Sequence, residues 1–186
     1  MRAPSVSPAR KRPRAKRLTL RLFGKDRSGT AAVEFAIIAT PFFALLFALI
    51  EIGLVFFGGF TLENAVEQAS RMIKTGQAQQ QGFSESRFKE EICDNVHALF
   101  DCENGLKLDV RKFDTFGGVN LPPALNGAGE LQNNFTYDPG VGGQIVVVRA
   151  FYEWDIVAKI PGAGLGNMGN GNRLMTATAA FRNEPF

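Results

Sequence analysis

Residues 35–50 form sixteen consecutive positions without a charge, and the apolar run resumes at 52–60 beyond Glu51. Nothing else in the chain restricts its fold as strongly. A helix over residues 31–60 would measure roughly 45 Å at about 1.5 Å per residue, against a bilayer hydrocarbon core of roughly 30 Å. The run is therefore long enough to span a membrane, where a helix satisfies its own backbone hydrogen bonds. A cleaved secretory signal would share the basic start, but this run is longer than a signal core and no small-x-small cleavage site follows it.

The flanks of the run set its orientation. Residues 1–27 contain ten Lys or Arg against Asp26 alone, a charge of +9, whereas the remaining residues carry −6. Cations gather on the cytoplasmic side of a span, so the amino-terminus is expected in the cytoplasm and the rest on the far side of the membrane. The leader, residues 1–28, mixes Pro4, Pro8 and Pro13 with Arg10, Lys11, Arg12, Arg14, Lys16 and Arg17. It buries too little apolar surface to order itself. A basic tail invites a nucleic-acid reading, but no aromatic residue precedes Phe23 and the part expected to fold is acidic. No nucleic-acid partner is expected.

Beyond the span, Leu62, Ala65, Val66, Ala69, Met72 and Ile73 recur three and four apart, which predicts an amphipathic continuation of the helix over 61–76 that stops at Gly76. After a polar linker at 77–82, Ser84 caps a second helix, with Phe83 and Phe88 as a hydrophobic staple. Phe88, Ile92, Val96, Leu99 and Phe100 are placed on one face of that helix. Three segments then alternate as half-buried strands do: Leu106, Leu108 and Val110; residues 144–155, with Val146, Val148, Ala150, Tyr152 and Trp154 on one side; and Met175, Ala177, Ala179 and Phe181. Residues 114–143 and 161–172, rich in glycine and proline, read as long loops. The expected fold is α+β: a long amino-terminal transmembrane helix (29–60), its amphipathic stem (61–76), and an extracytoplasmic domain (77–186) with a small antiparallel sheet and one further helix.

Polar groups within the long helix need separate accounts. Pro41 removes the hydrogen bond to the carbonyl of Ile37 and is expected to kink the span, with Thr40 helping to satisfy the freed group. A carboxylate at mid-membrane costs roughly 2.5 to 3.5 kcal/mol, so Glu34 should be placed for a reason or else sit at the headgroup level. Glu51 follows seventeen residues later, about 100° around the helix axis from Glu34, so the two form no matched pair. Near the outer interface Glu51 needs no special partner.

Cys93 and Cys102 lie on the same, oxidising side of the span and read as a disulfide. The sharper alternative is zinc, since Cys93 and His97 stand one turn apart with Asp94, Asp101 and Cys102 nearby. One histidine and no paired cysteine spacing argue against it, so no metal and no cofactor are expected. The stretch from Gly164 to Gly169 satisfies the dinucleotide pattern Gly-x-Gly-x-x-Gly letter for letter, but a strand pattern follows it and not a helix. Asn134-Phe135-Thr136 is a formal glycosylation sequon that matters only in a pathway able to use it. No Gly-x-Ser-x-Gly occurs, and the single histidine lacks an evident nucleophile partner, so catalysis has no support.

One stretch remains: Arg27-Ser28-Gly29-Thr30-Ala31-Ala32-Val33-Glu34-Phe35, a basic segment and a glycine directly before an apolar helix with glutamate at its fifth position. It resembles the type IV pilin class, and the setting Ala31-Ala32-Val33-Glu34-Phe35 is more specifically similar to the TadE-like proteins of tight-adherence pilus systems. The closing segment from Ala177 to Phe186 also resembles that family's last strand. The resemblance implies cleavage between Gly29 and Thr30 by a prepilin peptidase, with Glu34 and Phe35 serving peptidase recognition and assembly. It implies that Glu34 pairs with the new terminal amine of Thr30 in a neighbouring subunit. Thr30 departs from the pattern, being polar where a large apolar residue is typical. The implied partners are other pilin-like subunits, the prepilin peptidase, the pilus assembly platform and the lipid bilayer. A membrane-tethered binding or sensing domain that is never processed is the rival reading.

Overall fold

The computed structural model describes residues 29–96, 100–157 and 164–186. The basic leader, His97 and Leu99 lie outside the described residues. The elements run in the order α1 (Thr30–Lys74), α2 (Gln77–Gln80), α3 (Glu85–Cys93), α4 (Cys102–Gly105), β1 (Leu106–Phe113), β2 (Ile145–Trp154) and β3 (Arg173–Arg182). Residues 1–43 and 44–186 fall into two compact units.

Within the second unit, α1 is amphipathic where the spacing predicts it. Val55, Leu62, Ala65, Val66, Ala69 and Ile73 are buried, and so are Glu51 and Gly58. On the exposed side Thr61 and Asn64 return hydrogen bonds to the carbonyls of Phe57 and Phe60, both at 2.8 Å. Gly58 is the point of close approach, since a Cβ there would lie 3.2 Å from the Met175 side chain and 3.4 Å from Phe100.

The helix stops as expected at Gly76, whose φ of 80° is open to glycine at little cost and whose N–H donates to the Ile73 carbonyl at 3.0 Å. A Cβ at Gly76 would fall 2.4 Å from the ring of Phe186. Gly76→Ala is therefore expected to destabilise the protein by about 1–3 kcal/mol, through left-handed strain and a steric clash. In a Phe186→Ala background only the strain should remain, so a urea-unfolding double-mutant cycle separates the two.

The sheet has the order β1-β2-β3, antiparallel throughout. One face carries Leu106, Leu108, Val110, Val146, Val148, Ala150, Met175, Ala177 and Ala179 into a single core with α1 and with Phe88, Ile92 and Val96. The long apolar helix is thus packed on a small three-stranded sheet, the α+β arrangement the patterning predicts.

Four local expectations are corrected. The polar segment 77–82 contains the helical turn α2. The second helix is capped by Ser84, whose side chain accepts from the Arg87 N–H at 3.2 Å, but it ends at Cys93 and not near residue 100. The disulfide explains the early end: Cys93 pairs with Cys102 across a Cα separation of 5.8 Å, so the chain must turn back at once. Val96 is buried beyond the helix end, Phe100 packs edge-on against Tyr152 with ring centroids 4.6 Å apart, and Cys102 opens the turn α4. Lastly, β2 is buried on both faces from Ile145 to Phe151, where alternation predicts a half-buried strand.

The second face of β2 is covered by the loop at 114–143. Ala124, Leu125, Leu131 and Phe135 pack on Phe151, Met168 and Leu174, and Phe135 stacks on Phe151 at 5.0 Å. Beneath the loop lies an ion-pair network. Asp109, fully buried, stands opposite Arg149 in the β1/β2 register. Its Oδ2 accepts from Arg149 Nη2 at 2.5 Å, and its Oδ1 from Arg111 Nε at 2.8 Å and from the Thr136 N–H at 3.1 Å. Arg149 Nη1 also donates to the Pro122 carbonyl at 2.9 Å, and Arg111 Nη2 to the Asn134 carbonyl at 3.0 Å. One carboxylate and two guanidinium groups thereby hold three points of the loop. Nearby, burial, helped by Glu85, pushes the Tyr137 hydroxyl up to about 12.

Candidate assembly helix

The residues singled out from the sequence fall into two separate places. Gly29, Thr30, Glu34, Phe35 and Pro41 belong to the first unit and sit at the start of α1, where the Val33 N–H donates to the Gly29 carbonyl at 3.1 Å. Gly29 immediately precedes the first helical residue and is exposed. Glu34 and Phe35 are exposed, Phe35 to 69%. The neighbouring apolar residues Val33, Ile37, Ile38 and Phe42 are exposed to similar extents. In water such a surface would be unfavourable at about 25 cal/mol per Å². It suits lipid or other helices.

Pro41 lies inside α1. Thr40 Oγ1 donates to the Ala36 carbonyl at 2.8 Å, so it does not serve the Ile37 carbonyl that Pro41 leaves without its amide. The reason is helical geometry, which brings a threonine hydroxyl over the carbonyl four residues back. Among the described residues α1 is the one helix long and apolar enough to cross a membrane, with a best 18-residue window of mean hydropathy 2.3.

Glu51 corrects a second expectation. It is 8% exposed, and its Oε1 accepts a 2.5 Å hydrogen bond from the Val157 N–H. Through this bond the Glu51 carboxylate joins α1 to the segment after β2. Its contact spans more than a hundred residues, which no local pattern reveals.

Cys93 and Cys102 form the disulfide, beside a cleft lined by Ser86, Lys89, Glu90 and Glu103. Burial lowers the pKa of Lys89, whose Nζ donates to the Glu103 carbonyl at 2.9 Å. With both thiols oxidised, the cysteines are unavailable as zinc ligands, and no group of three or more His, Cys, Asp or Glu side chains suited to a metal occurs among the described residues. The glycines at 164–169 lead into β3, so the dinucleotide pattern opens no helix.

No curated protein and no solved structure matches the chain. A family model does: the one described as TadE-like protein matches residues 29–71, from the glycine before α1 almost to the helix end. Over the helix that carries Glu34 and Phe35 the chain is thus similar to the TadE-like family, the one its amino-terminal motif resembles.

Proposed function

We propose that the chain is a non-enzymatic, pilin-like subunit that acts in assembling a tight-adherence pilus. The observation that carries this reading is the family match over residues 29–71, aligned with a helix whose first half exposes an almost wholly apolar surface. In this reading the basic leader stays in the cytoplasm, the span lies within residues 29–60 of the inner membrane, and the stem at 61–76 and domain at 77–186 face the periplasm. The folded unit begins to bury one side of the helix at Glu51 and Val55, while Phe56, Phe57 and Phe60 stay exposed. Twenty residues from Ala31 to Ile50 give about 30 Å of helix, enough for one leaflet pair.

A prepilin peptidase cleaves between Gly29 and Thr30, and Glu34 then accepts the new amine of Thr30 in a neighbouring subunit. That pairing offsets the cost of a carboxylate in the membrane only after cleavage and packing. Small residues such as Ala31, Ala32, Ala36 and Ala39 let helices approach closely. Partners are other pilin-like subunits, the peptidase and the assembly platform.

Intact-mass and amino-terminal peptide analysis of the protein from membranes tests this. The expected mature chain begins at Thr30, and Glu34→Gln should leave that terminus unchanged while abolishing incorporation into higher assemblies. A chain that still begins at Met1 or Arg2 favours the unprocessed tether.

A further inference from the structure

The sheet has two outer edges, and the chain treats them differently. On β1 the Val110 N–H donates to the Thr136 carbonyl at 2.7 Å, and the Val110 carbonyl accepts from the Asp138 N–H at 2.9 Å. The chain thus covers this edge at mid-strand with its own backbone. On β3 a single side chain covers one position: Asn167 Oδ1 accepts from the Leu174 N–H at 2.6 Å, and Asn167 Nδ2 donates to the Leu174 carbonyl at 3.3 Å. Past the other end of the strand the Glu184 N–H donates to the Lys74 carbonyl at 2.8 Å.

Backbone groups alternate in direction along a strand with period two, so Leu174 fixes the parity. Thr176, Thr178, Ala180 and Arg182 aim both N–H and C=O away from β2. All four residues are exposed, and no hydrogen bond reaches these outward groups among the described residues. Natural sheets blunt an edge of this length unless something pairs with it.

A groove of about 450 Å³ lies beside this edge, lined by Glu67, Gln68, Ser70, Arg71 and Lys74 of α1 and by Ala180 and Phe181 of β3. Ser70 is 2% exposed, yet its hydroxyl has no hydrogen-bond partner among the described residues. Arg71 and Lys74 outweigh Glu67 there, so the groove is cationic.

We propose that β3 accepts a fourth strand from a different polypeptide, an extended segment whose carboxylates reach Arg71 and Lys74. A second copy of this chain does not fit. β3 runs alongside α1 in the same direction, since Met175 lies against Gly58 and Glu184 binds Lys74. Antiparallel pairing of two β3 edges places a two-fold axis normal to the sheet, and the two α1 helices would then point in opposite directions. One membrane cannot hold both, an exclusion that rests on the membrane reading above. A parallel ladder joins each residue to the two flanking its partner, so identical edges related by a two-fold cannot form one. Parallel pairing with β1 of another copy is blocked at Val110.

Amide hydrogen exchange of the full chain, read on peptides covering residues 175–183, tests the proposal. In detergent the four outward amides should exchange freely at every protein concentration. In native membranes they should slow by at least about tenfold. Thr178→Pro and Ala180→Pro each remove an N–H that only the added strand would use, and Arg71→Glu with Lys74→Glu reverses the charge of the groove without touching the sheet. Each change should abolish the slowing. Equal exchange in both settings overturns the proposal. Slowing in detergent that grows with protein concentration overturns the choice of a different chain, and slowing that survives the charge reversal overturns the acidic partner. The mature terminus is read separately, so failure here leaves the cleavage test standing.

Discussion

Asp109→Asn should cost the protein about 3–5 kcal/mol, the largest effect expected of any single substitution in the folded unit. The change removes a charge but little volume, so the loss is electrostatic. Arg149, itself 8% exposed, would keep its guanidinium in a site with no carboxylate. Its remaining contacts, the Pro122 carbonyl and the face of the Phe151 ring 5.2 Å away, do not neutralise it. Arg111 is more exposed and can turn to solvent. Replacing both buried partners, Asp109→Val with Arg149→Met, should recover most of the loss, because apolar groups of similar volume need no desolvated charge. Urea unfolding in detergent, followed by the fluorescence of Trp154, measures both. Equal destabilisation in the single and double variants would mean that packing, and not the buried charge, decides. The Asn variant should also open the loop at 114–143 to proteolysis, since the same carboxylate binds Thr136 and, through the two arginines, Pro122 and Asn134.

The second large effect is redox. Reduction of Cys93–Cys102, or Cys102→Ser, should lower stability by about 2.5–3 kcal/mol on the chain-entropy account of a loop of about ten residues. The loss should appear first in the segment after α3. That segment carries Val96 into the core and Phe100 onto Tyr152 and Trp154. Trp154 fluorescence should therefore shift on reduction even before global unfolding. An unchanged unfolding midpoint under reducing conditions would show that packing alone holds the turn.

The main elements were legible in the sequence because their burial is periodic. The three-and-four spacing from Leu62 to Ile73 has one dominant period that the structure keeps, and the side of β2 that alternation assigned to the core, Val146, Val148 and Ala150, does face it. What sequence reasoning missed depends on partners distant along the chain. Asp109 and Arg149 read as the polar side of alternating strands. Only the register sets them opposite one another, and only the loop at 114–143 seals them from water. The same loop buries the second face of β2, which alternation assigned to solvent. Glu51 was missed for a related reason: its partner Val157 is defined by tertiary folding and carries no side-chain signature. In α3 the local helical pattern ran past Cys93, but the disulfide overrode it. At the amino-terminal motif the situation reverses. Its resemblance lay in the spacing of Gly29, Glu34 and Phe35, and the exposed placement of Gly29 just before α1 and of Glu34 and Phe35 on it adds geometry to a signal already present in the residues.

The hydrogen bond from Glu184 to Lys74 joins positions more than a hundred residues apart, and the apolar seam of α1 likewise waits for Met175, Ala177 and Ala179. A ribosome therefore delivers the helix long before the strand that shields its greasy flank. During that interval the nascent chain carries Leu62, Val66 and Ile73 uncovered, a window in which chaperone capture competes with misassembly. Folding of the second unit is thus timed by its last strand, and slowing translation between β2 and β3 should lengthen the vulnerable stage.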